Sequence, residues 1–310
     1  MVYCDHKYNI EKGKACVEQL VNKGVVTILG PYGSGISLAQ TEVAEQYEVP
    51  YIVSGALDDI VTERGLEYTF QTNTHLSDIA TGAVNFSEAM GAETAVLIWP
   101  NIEFGEAGQR EFVEAIPDSD IDLLENISYQ AGGSDFTDVI LKIQEADPDV
   151  LLFVGNTPDA IQYVRQLREL NYWPQQGFVS IGGGTTDPSF LEGLNSDLVE
   201  GIVMGTDWYP ALAPEVNAEF EAEYGRPMTS NPTTAAATFL VEAALEKSCS
   251  RDPKKLAEVL RTTRFEDGGW NFMYPYMEFN ENGYNVTSPY IAAQYMDGQQ
   301  IPIWPEKYAQ

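Results

Sequence analysis

Positive charge is scarce in this chain. Lys and Arg number 17 against 47 Asp and Glu, and the formal net charge is −30 over 310 residues. A phosphate backbone cannot be neutralised without a basic face, so a nucleic-acid partner is excluded and an anionic membrane surface is disfavoured. Such charge repels itself and is tolerated best where salt screens it. The surface of a salt-adapted organism is one reading; a merely acidic soluble protein is the other. Cysteine is limited to Cys4, Cys16 and Cys249, with no Cys-x-x-Cys, which excludes zinc-ribbon and thioredoxin patterns. One pair can bridge and leave a thiol over; free core cysteines are the plainer reading, and the compartment stays open. Histidine is limited to His6 and His75, which are not spaced to share a metal ion. A Ser/His/Asp triad would have to use His75 with no motif around it, so His75 reads as a loop or hinge residue. No metal and no cofactor are expected. No stretch of about 18 apolar residues occurs, and Met1-Val2-Tyr3-Cys4-Asp5 has no basic region leading into an apolar run. Neither a membrane span nor a signal peptide is therefore read. The chain opens on what reads as the end of a strand.

What is present is globular. Hydrophobic residues make up 44%, aromatic 11% and charged 21% of the chain, enough to exclude disorder and to build one large domain or two of roughly 150 residues. Short apolar runs stopped by Gly or Pro read as strands buried on both faces: 25–30, 51–54, 94–99, 150–155, 177–182 and 201–205. Helical periodicity fills the gaps at 10–23, 79–90, 104–116, 136–146, 160–170, 216–224, 233–247 and 253–261. Ser77 is read as the N-cap of the second of these. This alternation implies an open parallel sheet with right-handed crossovers. It breaks near the end, where 290–296 and 301–304 flank Asp297-Gly298 as a β-hairpin.

Several strand ends carry small or polar residues, and in open α/β sheets that is where ligands bind. Gly30-Pro31-Tyr32-Gly33-Ser34-Gly35 precedes a helix, so its backbone N–H groups suit a carboxylate or phosphate. It matches neither a Walker loop nor Gly-x-Gly-x-x-Gly, and Tyr32 breaks Gly-x-Ser-x-Gly. Ser54-Gly55-Ala56-Leu57 repeats the construction on the next strand. Gly182-Gly183-Gly184-Thr185-Thr186 either lines a ligand with amides or is a plain loop. Asp207-Trp208-Tyr209 either closes on a cationic or apolar ligand or is a packed Trp beside a solvated Asp.

Taken in order, the pieces align with a family. They are Gly30-Pro31-x-x-Ser34, Val49-Pro50-Tyr51-Ile52-Val53-Ser54, Phe70-Gln71-Thr72 and Ile98 through Glu103-Phe104-Gly105-Glu106. They continue with Gly133-Ser134-Asp135-Phe136-Thr137, Asp147-Pro148-Asp149-Val150, Asp297-Gly298 and Trp304-Pro305. This order resembles the type I periplasmic solute-binding proteins of the Leu/Ile/Val-binding ABC transporter group, over essentially the whole chain.

The resemblance implies an α/β fold of two Rossmann-like lobes with open parallel sheets and a three-segment hinge, closing on a ligand held between them. Lobe one is expected at 1–72 and 208–286 and lobe two at 75–205 and 289–310, with hinge segments near 71–75, 205–207 and 287–290. Family members carry roughly one more strand-helix unit, of about 40 residues, before the segment that starts here. A misassigned start, a fragment or a pared-down variant would each account for that. The resemblance places the ligand carboxylate on Ser34, beside Tyr32, and on Gly55, Ala56 and Leu57. It places an apolar wall at Phe104. Where the family holds an amine with an acidic residue this chain has Gly182 and Gly183, and a usual aromatic is missing near Asn156 and Thr157. Asp207 is the candidate replacement charge. The expected solute therefore widens from branched-chain amino acids to carboxylates without an amine, amides or urea-like solutes, and aromatic acids. The expected role is an extracytoplasmic receptor that does no chemistry, acting as a monomer with a membrane permease. A ligand-sensing regulatory module of the same fold is the alternative, and an enzyme is the remote third.

Overall fold

A computed structural model of the chain describes residues 1–228 and 232–309. Thr229, Ser230, Asn231 and Gln310, which fall within the expected lobe segments, lie outside the described residues. In chain order the strands are β1 (Ile28–Leu29), β2 (Tyr51–Val53), β3 (Thr69–Gln71), β4 (Thr94–Pro100), β5 (Asp122–Tyr129), β6 (Val150–Val154), β7 (Gly177–Ile181), β8 (Val203–Thr206), β9 (Ile291–Met296) and β10 (Gln299–Trp304). The helices are α1 (Ile10–Asn22), α2 (Ser34–Gln46), α3 (Ile60–Glu63), α4 (Leu76–Ala89), α5 (Glu103–Ala115), α6 (Thr137–Ala146), α7 (Thr157–Glu169), α8 (Pro188–Gly193), α9 (Ser196–Val199), α10 (Pro214–Tyr224), α11 (Pro232–Ser248) and α12 (Pro253–Thr262).

The chain divides into two units. The first is Met1–Thr74 with Asn231–Ser288, the second His75–Ser230 with Pro289–Gln310. Two of the passages between the units lie at 74/75 and 288/289. The division puts the other at 230/231 rather than 205–207, so 208–230 goes with the second unit. The reason is packing: Trp208 is buried and donates Nε1–H to the Met228 carbonyl at 2.7 Å, and Tyr209 donates to the Met204 carbonyl at 2.6 Å. The second bond ties the segment after β8 back to its own sheet, and the first closes the segment on itself.

The first unit is built on a three-stranded parallel sheet in the order β1-β2-β3. Strand periodicity splits its side chains between two cores. Tyr51 and Val53 join Val17, Ile28 and Val43 on the side of α1 and α2. Ile52 and Phe70 join Leu240, Leu256, Trp270 and Met277 on the other. Residues 283–285 extend β3: Gln71 N–H donates to the Gly283 carbonyl and Asn285 N–H to that of Gln71. The two points where the chain leaves this unit are tied by the Thr74 and Ser288 hydroxyls, 2.6 Å apart.

The second unit has a seven-stranded sheet in the order β10-β9-β8-β7-β6-β4-β5. Its β4 to β8 are parallel, and β9–β10 is the expected hairpin around Asp297-Gly298. Every residue of β6 and β7 is buried, as a sheet covered on both faces requires. Edge strand β5 keeps Asp122 and Glu125 exposed, which discourages edge-to-edge pairing. Phe136 and Tyr163 stack with centroids 4.1 Å apart, and Tyr129 meets Phe136 edge-on at 5.3 Å. Such pairs add about 0.5–1.5 kcal/mol each beyond the area they bury.

Local expectations are corrected in five places. The opening residues form no strand, since no ladder partner flanks them, and the first element is α1. The run 25–30 contributes only Ile28–Leu29 to the sheet. Two strands, β3 and β5, were not anticipated; the first is three residues long and the second is an exposed edge too polar to read as a buried run. His75, not Ser77, is the N-cap of α4, which starts three residues early. Cys4 and Cys16 are disulfide-bonded, and Cys249 is free and exposed. The bridge ties the start of the chain to the buried face of α1, and closing so short a loop limits the unfolded chain by up to about 3 kcal/mol.

Candidate functional site

In each unit the carboxyl ends of the parallel strands form a rim, and the candidate residues divide between the two rims. In the first, β1 leads through Gly30-Pro31-Tyr32-Gly33 into α2, and β2 leads into Ser54-Gly55-Ala56-Leu57. The two loops pair directly through a parallel bridge between Tyr32 and Gly55. Tyr32 is exposed, whereas Ser34 is 2% and Ala56 1% exposed. Gly33 is the N-cap of α2 at φ +109°, in the region that favours glycine, and no side chain caps the helix. Its first-turn N–H groups and the partial positive charge of the helix end are therefore available to an anion.

Beneath this rim lies a bed of buried polar side chains. Ser54 Oγ is 3.0 Å from Thr234 Oγ1, and Thr233 donates to the Ser54 carbonyl at 2.6 Å. The Ala56 carbonyl accepts from Gln71 Nε2 at 3.2 Å and from Asn73 Nδ2 at 2.7 Å. The side-chain oxygens of Gln71 and Asn73 and the hydroxyl of Ser37 have no partner among the described residues. This bed fixes the Ser54–Leu57 backbone from below.

The second rim is apolar and glycine-lined. Adjacent strands β4, β6, β7 and β8 end beside Phe104, Asn156, Gly182 and Asp207 in turn. Phe104 lies over Gly182 so closely that a side-chain carbon there would sit 2.5 Å from its Cζ; Gly182 also has φ +79°. Gly184 packs on the Gly155 carbonyl with equally little room. Asn156 is the N-cap of α7, again without a side-chain cap, and Thr157 Oγ1 donates to the Gly183 carbonyl at 3.4 Å. Phe104, Asn156, Thr157, Gly182 and Gly183 are thus brought together. Asp207 stands one strand over, 9% exposed, with Thr206 Oγ1 donating to its Oδ1 at 3.3 Å. It is not the solvated Asp of the plainer reading.

A buried carboxylate supports this second rim. Asp159, in the first turn of α7, is 3% exposed and accepts from the Gly132 N–H at 2.9 Å and from the Tyr129 hydroxyl. Burial raises its pKa, and those two hydrogen bonds oppose the rise. Tyr129 and Tyr163 beside it are pushed far up by desolvation and then by the carboxylate's charge. At the opposite end of the sheet Asp149 Oδ2 accepts from Glu93 N–H at 3.0 Å and from Thr94 N–H and Oγ1, both at 2.9 Å, which lowers its pKa.

A family model described as periplasmic binding protein matches residues 1–299. The chain belongs to the periplasmic binding protein family. Family and fold are those of solute-binding receptors, as the order of motifs implied. Leu/Ile/Val-binding protein homolog 7 of Brucella abortus (strain 2308) is 23% identical over 306 residues, covering 93% of this chain and 76% of that one. The structure of a leucine-binding protein, LivK, from Thermotoga maritima superposes with a TM-score of 0.84 at 20% identity, covering 96% of this chain and 85% of that chain. A solute-binding protein of an ABC transporter from R. palustris, in complex with benzoate, gives a TM-score of 0.83 at 17% identity, covering 97% and 83%. Together they establish an α/β fold of the periplasmic binding protein type.

Sequence reasoning missed Thr233, Thr234, Gln71, Asn73 and Asp159. The helix-start pattern Pro232-Thr233-Thr234 was a usable signal, as was Thr157-Pro158-Asp159. Gln71 and Asn73 were noted only as part of a motif and an expected hinge segment, because only the fold brings them under Ala56.

Proposed function

We propose that this receptor binds a small solute carrying a carboxylate, with the rim of the first unit as the anion-binding half-site. The observation that carries the reading is the uncapped N-terminus of α2, presenting buried Ser34 beside the Gly55–Leu57 loop. Charge-assisted bonds from backbone N–H groups suit a carboxylate there. The second rim, taken by itself, is apolar, with Phe104 as its wall and Gly182 and Gly183 leaving room where a larger side chain would intrude. Gly182 and Gly183 stand where the family carries an acidic residue for an amine, so an aromatic or aliphatic acid suits this rim as well as a branched-chain amino acid does. An amide or urea-like solute is the competing ligand class.

The protein works outside the cytoplasm as a monomer, delivering solute to the permease of an ABC transporter. The Cys4–Cys16 bridge favours that location, since disulfides persist in oxidising compartments, and so favours transport over a cytosolic sensor. The acidic surface is that of a salt-adapted protein.

A thermal-shift screen in high salt tests the ligand class, using leucine, isoleucine, valine, benzoate, acetamide and urea. A ligand at 100 times its dissociation constant adds about 2.7 kcal/mol and raises Tm by several degrees. Stabilisation by a carboxylate is expected. Stabilisation by acetamide or urea with none by carboxylates overturns the reading.

A further inference from the structure

Tyr8 belongs to none of the strand-end motifs, yet the fold of the first unit brings it to the anion-binding rim. It sits in the turn ahead of α1. The Cys4–Cys16 disulfide anchors this turn on one side, and on the other Asn9 caps α1 by accepting from the Lys12 N–H. Between them Asp5 Oδ1 accepts from the Lys7 N–H at 2.8 Å and His6 Nδ1 from the Tyr8 N–H at 3.0 Å. Lys7 and Tyr8 both take left-handed backbone, at φ 51° and 54°, a conformation that side chains other than glycine seldom adopt.

The result is a ring directed at Gly33. A side-chain carbon on Gly33 would lie 2.9 Å from the Tyr8 hydroxyl and 3.1 Å from its Cε2. Gly33 is the uncapped N-cap of α2, so the phenol stands at the helix end that presents Ser34. Tyr8 as a residue is 62% exposed. Burial around its hydroxyl nonetheless raises its pKa. Among the described residues the hydroxyl has no hydrogen-bond partner. A partly buried O–H without an acceptor, beside a helix end suited to an anion, is complementary to a carboxylate oxygen.

We propose that Tyr8 is a ligand-selecting residue of the carboxylate half-site, donating its hydroxyl to the bound anion, and that the Cys4–Cys16 bridge is what holds it in place. This rests on the carboxylate reading above. The rim then has three sources of donors: the α2 backbone, Ser34 and a phenol delivered by a disulfide-clamped turn. Loss of the bridge lowers affinity by releasing Tyr8, without touching Ser34.

Calorimetric titration of leucine and of benzoate into the full chain tests this, with wild type, Tyr8→Phe, Tyr8→Ala, C4S/C16S and the Y8A/C4S/C16S variant, each checked by its melt. Tyr8→Phe is expected to weaken the carboxylate that binds by about tenfold or more at unchanged Tm. C4S/C16S is expected to weaken it similarly, and adding Tyr8→Ala to that variant should cost nothing further, the signature of one coupled device. Unchanged affinity in Tyr8→Phe overturns the proposal, and it decides alone if C4S/C16S does not fold. Independent, additive losses overturn the role of the bridge. If the folded wild type binds neither probe, the carboxylate reading fails and this inference with it; loss of the Tyr8 effect alone leaves that reading standing.

Discussion

The two units solve the same task with opposite chemistry. The first is the smaller, with strands of two or three residues, and it carries the larger share of the buried polar side chains, among them Ser34, Ser37, Ser54, Gln71, Thr72, Asn73 and Thr74. The second has a seven-stranded sheet and an aromatic core, and its rim is Phe104 set against glycines. Polar atoms at the first rim are held by a hydrogen-bonded bed, so they are oriented before any solute arrives. The second rim is held by close packing, so it reads shape. The difference teaches that a strand-end rim can be ordered either by a hydrogen-bonded polar bed or by close packing, and that one chain can carry both.

The sharpest way to break that comparison is to insert one methyl into each rim. A Cβ at Gly105 would lie 1.8 Å from the Pro100 carbonyl oxygen, whereas one at Gly55 meets its nearest atoms at 3.1 Å. Gly105→Ala is expected to cost more than about 3 kcal/mol and Gly55→Ala less than about 1.5 kcal/mol, read by denaturant unfolding. Equal costs would mean that the second rim is no tighter than the first. Next in size, Ser34→Ala should weaken carboxylates by about 1–3 kcal/mol while sparing neutral isosteres. Phe104→Ala should weaken both alike, by about 1–2 kcal/mol. Titrations in which both variants penalise every ligand equally would dissolve the division between charge and shape.

Smaller effects sharpen the picture within the second unit. The folded pKa of Asp149 is lowered by its hydrogen bonds, so it stabilises the fold above its unfolded value near 3.9, and that stability is lost as pH falls below it. The folded pKa of Asp159 is raised by burial, so its sign is opposite: stability falls as pH climbs from about 3.9 through the raised value. Each contributes at most about 1.4 kcal/mol per pH unit inside its window. Melts from pH 3 to 7 should show the acid-side loss shrink in Asp149→Asn and the rise-side loss shrink in Asp159→Asn; the same change in both variants would contradict the assignment. Last, the net charge of −30 should make Tm climb by about 2–4 °C, near 1 kcal/mol, as salt shortens the screening length from about 10 Å at 0.1 M to about 3 Å at 1 M. A flat response would remove the salt-adapted reading.

Legibility tracked distance along the chain. Strands β4, β6 and β7 were visible because a buried parallel strand is a short apolar run with a Gly or Pro stop, wholly local information. Strand β3 was not, because Thr69–Gln71 becomes a strand only through pairing with β2 and the 283–285 segment. Ser34 and Gly55 were legible as strand-end residues, and Phe104 only through the family resemblance. Their grouping with Asn156 or Ala56 followed from the family's order of motifs, and the polar bed of Thr233, Gln71 and Asn73 from neither.

By itself the sequence determined the α/β alternation, the terminal hairpin, the acidic balance and the small-residue strand ends, because each rests on periodicity, turn chemistry or composition within a few residues. Only the tertiary structure decided that Cys16 and not Cys249 pairs with Cys4, that the segment after β8 stays with its own sheet, and that Tyr8 faces Gly33. Those choices depend on which distant surfaces bury one another, and no local pattern encodes that. A disulfide forms where the fold sets two Cα atoms 5.6 Å apart, and a phenol reaches a helix end where a clamped turn delivers it.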